Sequence, residues 1–159
     1  MDVTIPAESR AVVKDEWIDG NDHMNSAMYL TAFRQAPGPL LHGAGLTPAF
    51  FAEQATSLVQ REAHIRYVRE LRRDEPILMR AWIAGVDARS VHVVAEMSHG
   101  GDGWLAASVE ILYTYFDRKQ RRSADWPEAV RQGLDAIWLA GANTLPAEAV
   151  GRSVAVRRE

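Results

Sequence analysis

Cysteine is absent from the 159 residues, which excludes disulfides, thiolate metal sites and cysteine nucleophiles together. Long apolar runs are missing as well: nowhere do about 18 apolar residues follow one another, the length a membrane-crossing helix needs. Charge of one sign is not in excess either. A formal net charge of −3 gives no global attraction to nucleic acid or to an anionic membrane. The opening MDVTIPAESRAVV lacks the basic segment and apolar run of a secretory signal, so the expectation is a cytoplasmic protein with no membrane and no nucleic-acid partner. His42, His92 and His99 show no metal-ligand spacing, and no metal is expected.

What is present is ordinary globular material, 47% apolar and 25% charged. Its length suits one domain over residues 1–159, with the core over about 10–120, a C-terminal helix over about 126–140 and a loose tail. Ala11 to Lys14 reads as a short extended start, followed by the polar loop Asp19-Gly20-Asn21-Asp22. A helix is expected from Met24 to Ala36, stopped by Pro37-Gly38-Pro39. Met24, Ala27, Met28, Tyr29, Leu30, Ala32 and Phe33 surround its axis, so it should be buried and wrapped. Thr47-Pro48 opens a short helical connector through Gln54.

From Ser57 the period changes to two. Val59, Ala63, Ile65 and Tyr67 fall on one face of a long strand and Gln60, Glu62, His64 and Arg66 on the other. After the turn Arg72–Pro76 comes a second strand, Ile77–Val86, and then a third in which Val91, Val93, Ala95 and Met97 alternate with His92, Val94, Glu96 and Ser98. Gly100-Gly101-Asp102-Gly103 supplies hairpin residues before a fourth strand through Leu105, Ala107, Val109, Ile111, Tyr113 and Tyr115. Asp125-Trp126-Pro127-Glu128 has the spacing of a capping box ahead of Val130, Leu134, Ile137 and Trp138. The order is an α+β arrangement whose curved antiparallel sheet buries the apolar helix by wrapping it. Such a sheet leaves edges, which calls for a homodimer or a dimer of dimers.

Two basic runs, Arg66, Arg69, Arg72, Arg73 and Arg118, Lys119, Arg121, Arg122, are either solvated charge or contacts for the phosphates of a nucleotide-bearing ligand. The chemistry concentrates elsewhere, in Trp17-Ile18-Asp19-Gly20-Asn21-Asp22-His23-Met24-Asn25-Ser26-Ala27-Met28-Tyr29. A helix start offers unpaired N–H groups and the positive end of a dipole, suited to a developing oxyanion. A carboxylate in the preceding loop can attack a carbonyl held there or activate water. On spacing alone a plainer reading stands beside this one: Asp19, Asp22 and Asn25 cap the helix, and His23 is a loop histidine.

The string resembles the signature of the 4-hydroxybenzoyl-CoA thioesterase-like branch of the hotdog superfamily, D-x-D-x-x-G-H-x-N-x-x-x-Y at a loop-to-helix junction. Asp19 falls on the second aspartate, His23 on the histidine, Asn25 on the asparagine and Tyr29 on the tyrosine. The resemblance covers roughly residues 10 to 120. It implies a hotdog fold, a curved antiparallel sheet around a long central hydrophobic helix with a C-terminal helix, and hydrolysis of an acyl-CoA thioester to free acid and CoA. It implies Asp19 as nucleophile or general base, with His23, Asn25 and Ser26 beside it and an oxyanion-holding N–H near Asn25 or Ser26. Coenzyme A is then part of the substrate and no separate cofactor is expected.

Two departures stand out: Trp17 replaces the first aspartate and Asp22 the glycine before the histidine. A carboxylate at position 22 either obstructs the acyl group and raises the pKa of Asp19 or favours a cationic acyl group. WIDGNDHMN and SLVQREAHIRYVREL are similar to the betainyl-CoA thioesterase branch of carnitine breakdown, whose substrate carries a trimethylammonium group. Aromatic faces hold such cations, which makes Trp17, Tyr29, Tyr67, Trp82 and Trp104 candidates. The substrate-binding set is Trp17, Asp22, Tyr29, Glu62, His64 and Tyr67, with Glu62 as second-choice acid or base from its place near a partner's loop in a hotdog dimer. The rival readings are a hotdog enoyl-CoA hydratase or dehydratase using Asp19 and His23, and an acyl-CoA-binding hotdog protein without catalysis. An α/β-hydrolase is excluded by the absence of G-x-S-x-G.

Overall fold

The computed structural model describes residues 4–151, 153 and 154. In chain order the elements are β1 (Ala7–Val12), α1 (Ser26–Phe33), α2 (Gly38–Gly43), α3 (Pro48–Gln54), β2 (Thr56–Tyr67), β3 (Pro76–Val86), β4 (Ser90–His99), β5 (Leu105–Asp117), β6 (Arg122–Ser123) and α4 (Glu128–Gly141). The strands form one antiparallel sheet in the order β1-β3-β4-β5-β2, with β6 paired to the end of β5. This is the α+β hotdog architecture expected from the sequence.

The alternation on β3, β4 and β5 sets one face of the sheet. Ile77, Met79 and Ile83, Val91, Val93 and Met97, and Val109 and Ile111 are buried in one cluster with Tyr29, Ala32 and Phe33 of α1 and Leu40 and Leu41 of α2. Each large side chain fully buried there contributes about 1.5–3 kcal/mol relative to exposure. Outside the helix-facing side, Trp82 donates its indole N–H to Thr144 Oγ at 3.1 Å, tying the chain after α4 to the convex face.

Several boundaries differ from the sequence expectation, each for a physical reason. The central helix is eight residues long rather than running from Met24 to Ala36. The N–H groups of Gln35 and Ala36 tighten onto Ala32 and Phe33 and end it, and Pro39 then sits near the start of a separate helix, where proline is tolerated. It is also wrapped on one side only, since Ala27 and Thr31 are exposed. β1 begins at Ala7, four residues early; its inward positions are small, so its alternation is faint.

β2 carries a bulge at Arg61, between the Gln60 and Glu62 pairings. The extra residue reverses the phase, so Leu58 and Gln60 share the helix-facing side with Ala63, Ile65 and Tyr67, while Val59 turns to the convex face. The proposed capping box does not form: Pro127 is the N-cap without a side-chain bond, and Asp125 pairs with Arg89. α4 instead docks by apposition, where a Cβ on Gly133 would meet Ala44 Cα at 3.0 Å. The tail, expected to be loose, packs through a 3₁₀ turn at Ala147–Ala149 with Ala149 buried; residues 152 and 155–159 lie outside the described residues.

Candidate active site

Polar residues followed by an apolar helix fold into a closed loop. The Asp19 N–H donates to the His23 carbonyl and the Asp22 N–H to the Asp19 carbonyl, both at 3.1 Å, beneath a bridge between Ile18 and Met24. Asp19 Oδ1 accepts the Asn21 N–H at 2.9 Å and lies 3.8 Å from His23 Nδ1. Both side chains are accessible, 23% for Asp19 and 32% for His23. Asp22 sits at φ +61°, which explains why glycine suits that position; aspartate is among the few other residues that enter the left-handed region readily. Its carboxylate is exposed, and Asp22 is not among the residues that line the cleft beside Asp19.

The start of α1 is accounted for donor by donor. The Asn25 N–H bonds the Trp17 carbonyl at 2.8 Å, Asn25 Oδ1 caps the Ala27 N–H at 2.9 Å, and the Met28 N–H returns to the Asn25 carbonyl at 2.9 Å. Ser26, the first helical residue, has no acceptor within the helix for its N–H and finds none among the described residues of the surrounding loops. A donor is therefore left at the helix start, where the dipole favours negative charge.

A cleft of about 310 Å³ lies over this junction, lined by Asp19, His23, Met24, Ser26, Tyr29, Tyr67, Val68, Arg69 and Glu70. Tyr29 accepts the Leu71 N–H at 3.1 Å, while Leu71 in turn accepts the Met24 N–H at 2.7 Å, so the chain after β2 clamps the loop. Burial pushes the Tyr29 hydroxyl above its usual range, and it stays neutral. Arg72 bonds Glu70 at 2.8 Å and holds that carboxyl below its usual range, so Glu70 presents a charge at the rim. Arg69 lies over the Trp104 ring, 4.1 Å from its centroid.

Of the residues singled out in the sequence, the structure brings together Asp19, His23, Ser26, Tyr29 and Tyr67. Asn25 serves as the cap, and Trp17 is buried beneath Lys14 and contributes its backbone rather than a wall of the cleft. Glu62 and His64 lie apart, in a hollow of about 490 Å³ on the convex face with His92 and Glu110. There His92 Nε2 is 3.1 Å from Glu110 Oε2, which also accepts the Gly151 N–H at 2.8 Å. Sequence reasoning overlooked Val68, Arg69 and Glu70 as a set, although their place directly after Tyr67 was the signal available.

The basic run with Arg121 and Arg122 was singled out in the sequence, but not its partners Arg61 and Arg89, which converge with those two in a groove of about 670 Å³ at the far end of the sheet. These four come from the bulge, the β3–β4 turn and the β5–β6 hairpin, which are distant in sequence. Asp87 also lines it, but its Oδ1 is occupied by the N–H groups of Arg89 and Ser90. No group of three or more histidines and carboxylates suited to a metal ion exists among the described residues. Nor is any helix there long and apolar enough to cross a membrane.

Comparison with known proteins adds to this geometry. Residues 13–134 match the family model of the thioesterase-like superfamily. The chain is 26% identical over 142 residues to the betainyl-CoA thioesterase of Pseudomonas aeruginosa, covering 89% of each. It is 25% identical over 146 residues to the L-carnitine dehydrogenase/betainyl-CoA thioesterase of Rhizobium meliloti, covering 92% of this chain and 29% of that larger protein. Among solved structures it is similar to a Staphylococcus aureus protein in complex with CoA, at TM-score 0.86 and 23% identity over 94% of both chains. It is similar too to a 1,4-dihydroxy-2-naphthoyl-CoA thioesterase from Synechocystis, at TM-score 0.71 and 16% identity over 80% of this chain and 94% of that one. With its family match running from the strand-to-loop junction into α4, the chain belongs to the thioesterase-like superfamily, and at the family level its activity is that of an acyl-CoA thioesterase.

Proposed function

We propose that this chain cleaves the thioester at Asp19, with the Ser26 N–H holding the oxyanion, and that its acyl group is cationic, of the betainyl type. The observation that carries the reading is the unpaired Ser26 N–H at the start of α1, in the same cleft as an accessible carboxylate. The thioester carbon takes either an Asp19 oxygen or the oxygen of a water that passes a proton to Asp19. The electron pair moves onto the carbonyl oxygen at the Ser26 N–H and then returns, expelling CoA as the thiolate. In the first route a mixed anhydride on Asp19 is then hydrolysed; in the second the acid forms directly.

Tyr67 is 51% exposed at the cleft and Glu70 stays ionised at its rim, a pairing of aromatic face and negative charge that suits a quaternary ammonium. The names of the Pseudomonas and Rhizobium relatives point the same way. The arginine groove is the natural seat for the phosphates of CoA, since guanidinium forks bind phosphate bidentately. β2 forms the edge of the sheet, and antiparallel pairing with β2 of a second copy sets the groove end of one strand beside the cleft end of the other. The working unit is accordingly a homodimer or dimer of dimers in the cytoplasm.

The test is thiol release from betainyl, short aliphatic, 3-hydroxyacyl and 4-hydroxybenzoyl CoA, followed with a thiol-reactive dye whose background is low because the chain has no cysteine. Betainyl-CoA is expected to give the highest kcat/KM. A neutral acyl-CoA outperforming it would overturn the cationic assignment. No thiol release from any of them, with the protein folded, would leave hydration or simple acyl-CoA binding. Solvent ¹⁸O found in Asp19 after a single turnover marks direct attack, and label found only in the released acid marks water activation.

A further inference from the structure

The Tyr67 hydroxyl makes a contact that acyl binding does not require. It donates to the Ser26 carbonyl oxygen at 3.0 Å, across 41 residues of sequence. Ser26 is the first residue of α1 and Tyr67 the last of β2, so this bond joins the helix start to the end of the edge strand. The Tyr67 ring meets Tyr29 edge-on, with centroids 5.3 Å apart and planes at 86°, and Tyr29 is itself fixed by the Leu71 N–H. The peptide between Ser26 and Ala27 is thereby held at both ends, its oxygen by Tyr67 and its N–H by Asn25 Oδ1. Its neighbour, the peptide carrying the Ser26 N–H, is the one left open to a ligand.

We infer that Tyr67 is a positioning residue, whose hydroxyl sets the orientation of the first peptides of α1 and so the aim of the Ser26 N–H, while its ring walls the acyl cleft. The inference rests on the oxyanion role proposed above for that N–H. Aim matters because an oxyanion donor acts only when placed for the atom that becomes charged, and a displacement well under an ångström weakens it. The tether is half-exposed and competes with water, so its loss should cost a modest factor rather than abolish turnover.

Tyr67→Phe removes the bond and keeps the ring. The expected result is a five- to tenfold lower kcat on the best acyl-CoA, with KM and affinity for CoA unchanged within twofold, because a single hydrogen bond carries a factor of about that size. Tyr67→Leu, which loses the ring as well, should in addition raise KM. A structural role alone would lower the melting temperature of both variants without splitting kcat from KM. An independent readout needs no turnover: in ¹⁵N-labelled protein, Tyr67→Phe should shift the Ser26 and Ala27 amide resonances and speed exchange of the Ala27 amide. Wild-type kcat in Tyr67→Phe with unmoved amides would overturn the inference and leave the thioesterase reading standing. Shifted amides in a protein that hydrolyses no acyl-CoA would keep the tether but refute the catalytic role on which its function depends.

Discussion

The loop–helix junction at Asp19 and the Glu62–His64 stretch of β2 offer the same kinds of side chain, a carboxylate and a histidine a few residues apart, yet the fold uses them differently. At the junction most backbone donors are satisfied, and the Ser26 N–H, without a partner among the described residues, belongs to the same cleft as the carboxylate. On β2 the alternation sends Glu62 and His64 to the convex face, beside the His92–Glu110 pair and away from the cleft. A set of reactive side chains becomes a site where the backbone aims an unpaired donor into the same space. Edge strand β2 does not, because its N–H groups lie in the plane of the sheet, toward β5 or along the open edge, while Glu62 and His64 stand out of that plane.

The comparison can be broken most directly at Asp19. Asp19→Asn should lower kcat by about 10³-fold while CoA binding persists, since a nucleophile or base is lost without disturbing the cleft. Next come the arginines: Arg121→Ala and Arg61→Ala should each raise KM for acyl-CoA by roughly 3- to 10-fold with little change in kcat, and leave KM for the matching acyl-pantetheine unaltered. A rise on both substrates would move the phosphate seat elsewhere. Glu62→Gln and His64→Gln should change kcat by less than about twofold, as expected for groups outside the cleft, the first exposed and the second half-buried; a loss comparable to that of Asp19→Asn would restore β2 as part of the reacting centre.

The smallest effect is on stability. Burial raises the Glu96 carboxyl above its usual range, the nearby Glu148 raises it further, and Arg80 opposes both. With a raised folded pKa, the favourable contribution is complete below the unfolded pKa and is lost as pH climbs through the folded one. Glu96→Gln should therefore melt slightly higher than wild type at pH 7, with the difference shrinking toward pH 4. An equal difference at both pH values would exclude titration as the cause.

Much of this was legible in the sequence because it is written locally. The alternation in β4 and β5 fixed two strands, and the run from Asp19 to Tyr29 carries its spacing within one loop and one helix. The bulge was not legible: Arg61 is one polar residue among several, and only pairing with β5 shows that it stands unpaired and turns Val59 outward. The separate helix at Gly38–Gly43 was hidden by prolines that read as terminators but sit in a first turn. The arginine groove was only half legible for a different reason: Arg121 and Arg122 stand in a visible basic run, whereas Arg61 at the bulge and Arg89 in the β3–β4 turn join them only in the fold. Asp125 illustrates the same limit, as a local cap pattern gave way to an ion pair with Arg89 far along the chain.

The central claim is that the Ser26 N–H is the oxyanion donor of the Asp19 cleft, and Ser26→Pro tests it with least disturbance. Proline is tolerated at the first helical position and the extended Asn25 before it is compatible, so the variant removes the N–H while the helix persists. The account predicts a kcat about 10²-fold below wild type with KM for acyl-CoA and the melting temperature nearly unchanged. A folded Ser26→Pro enzyme that turns over at the wild-type rate would contradict it.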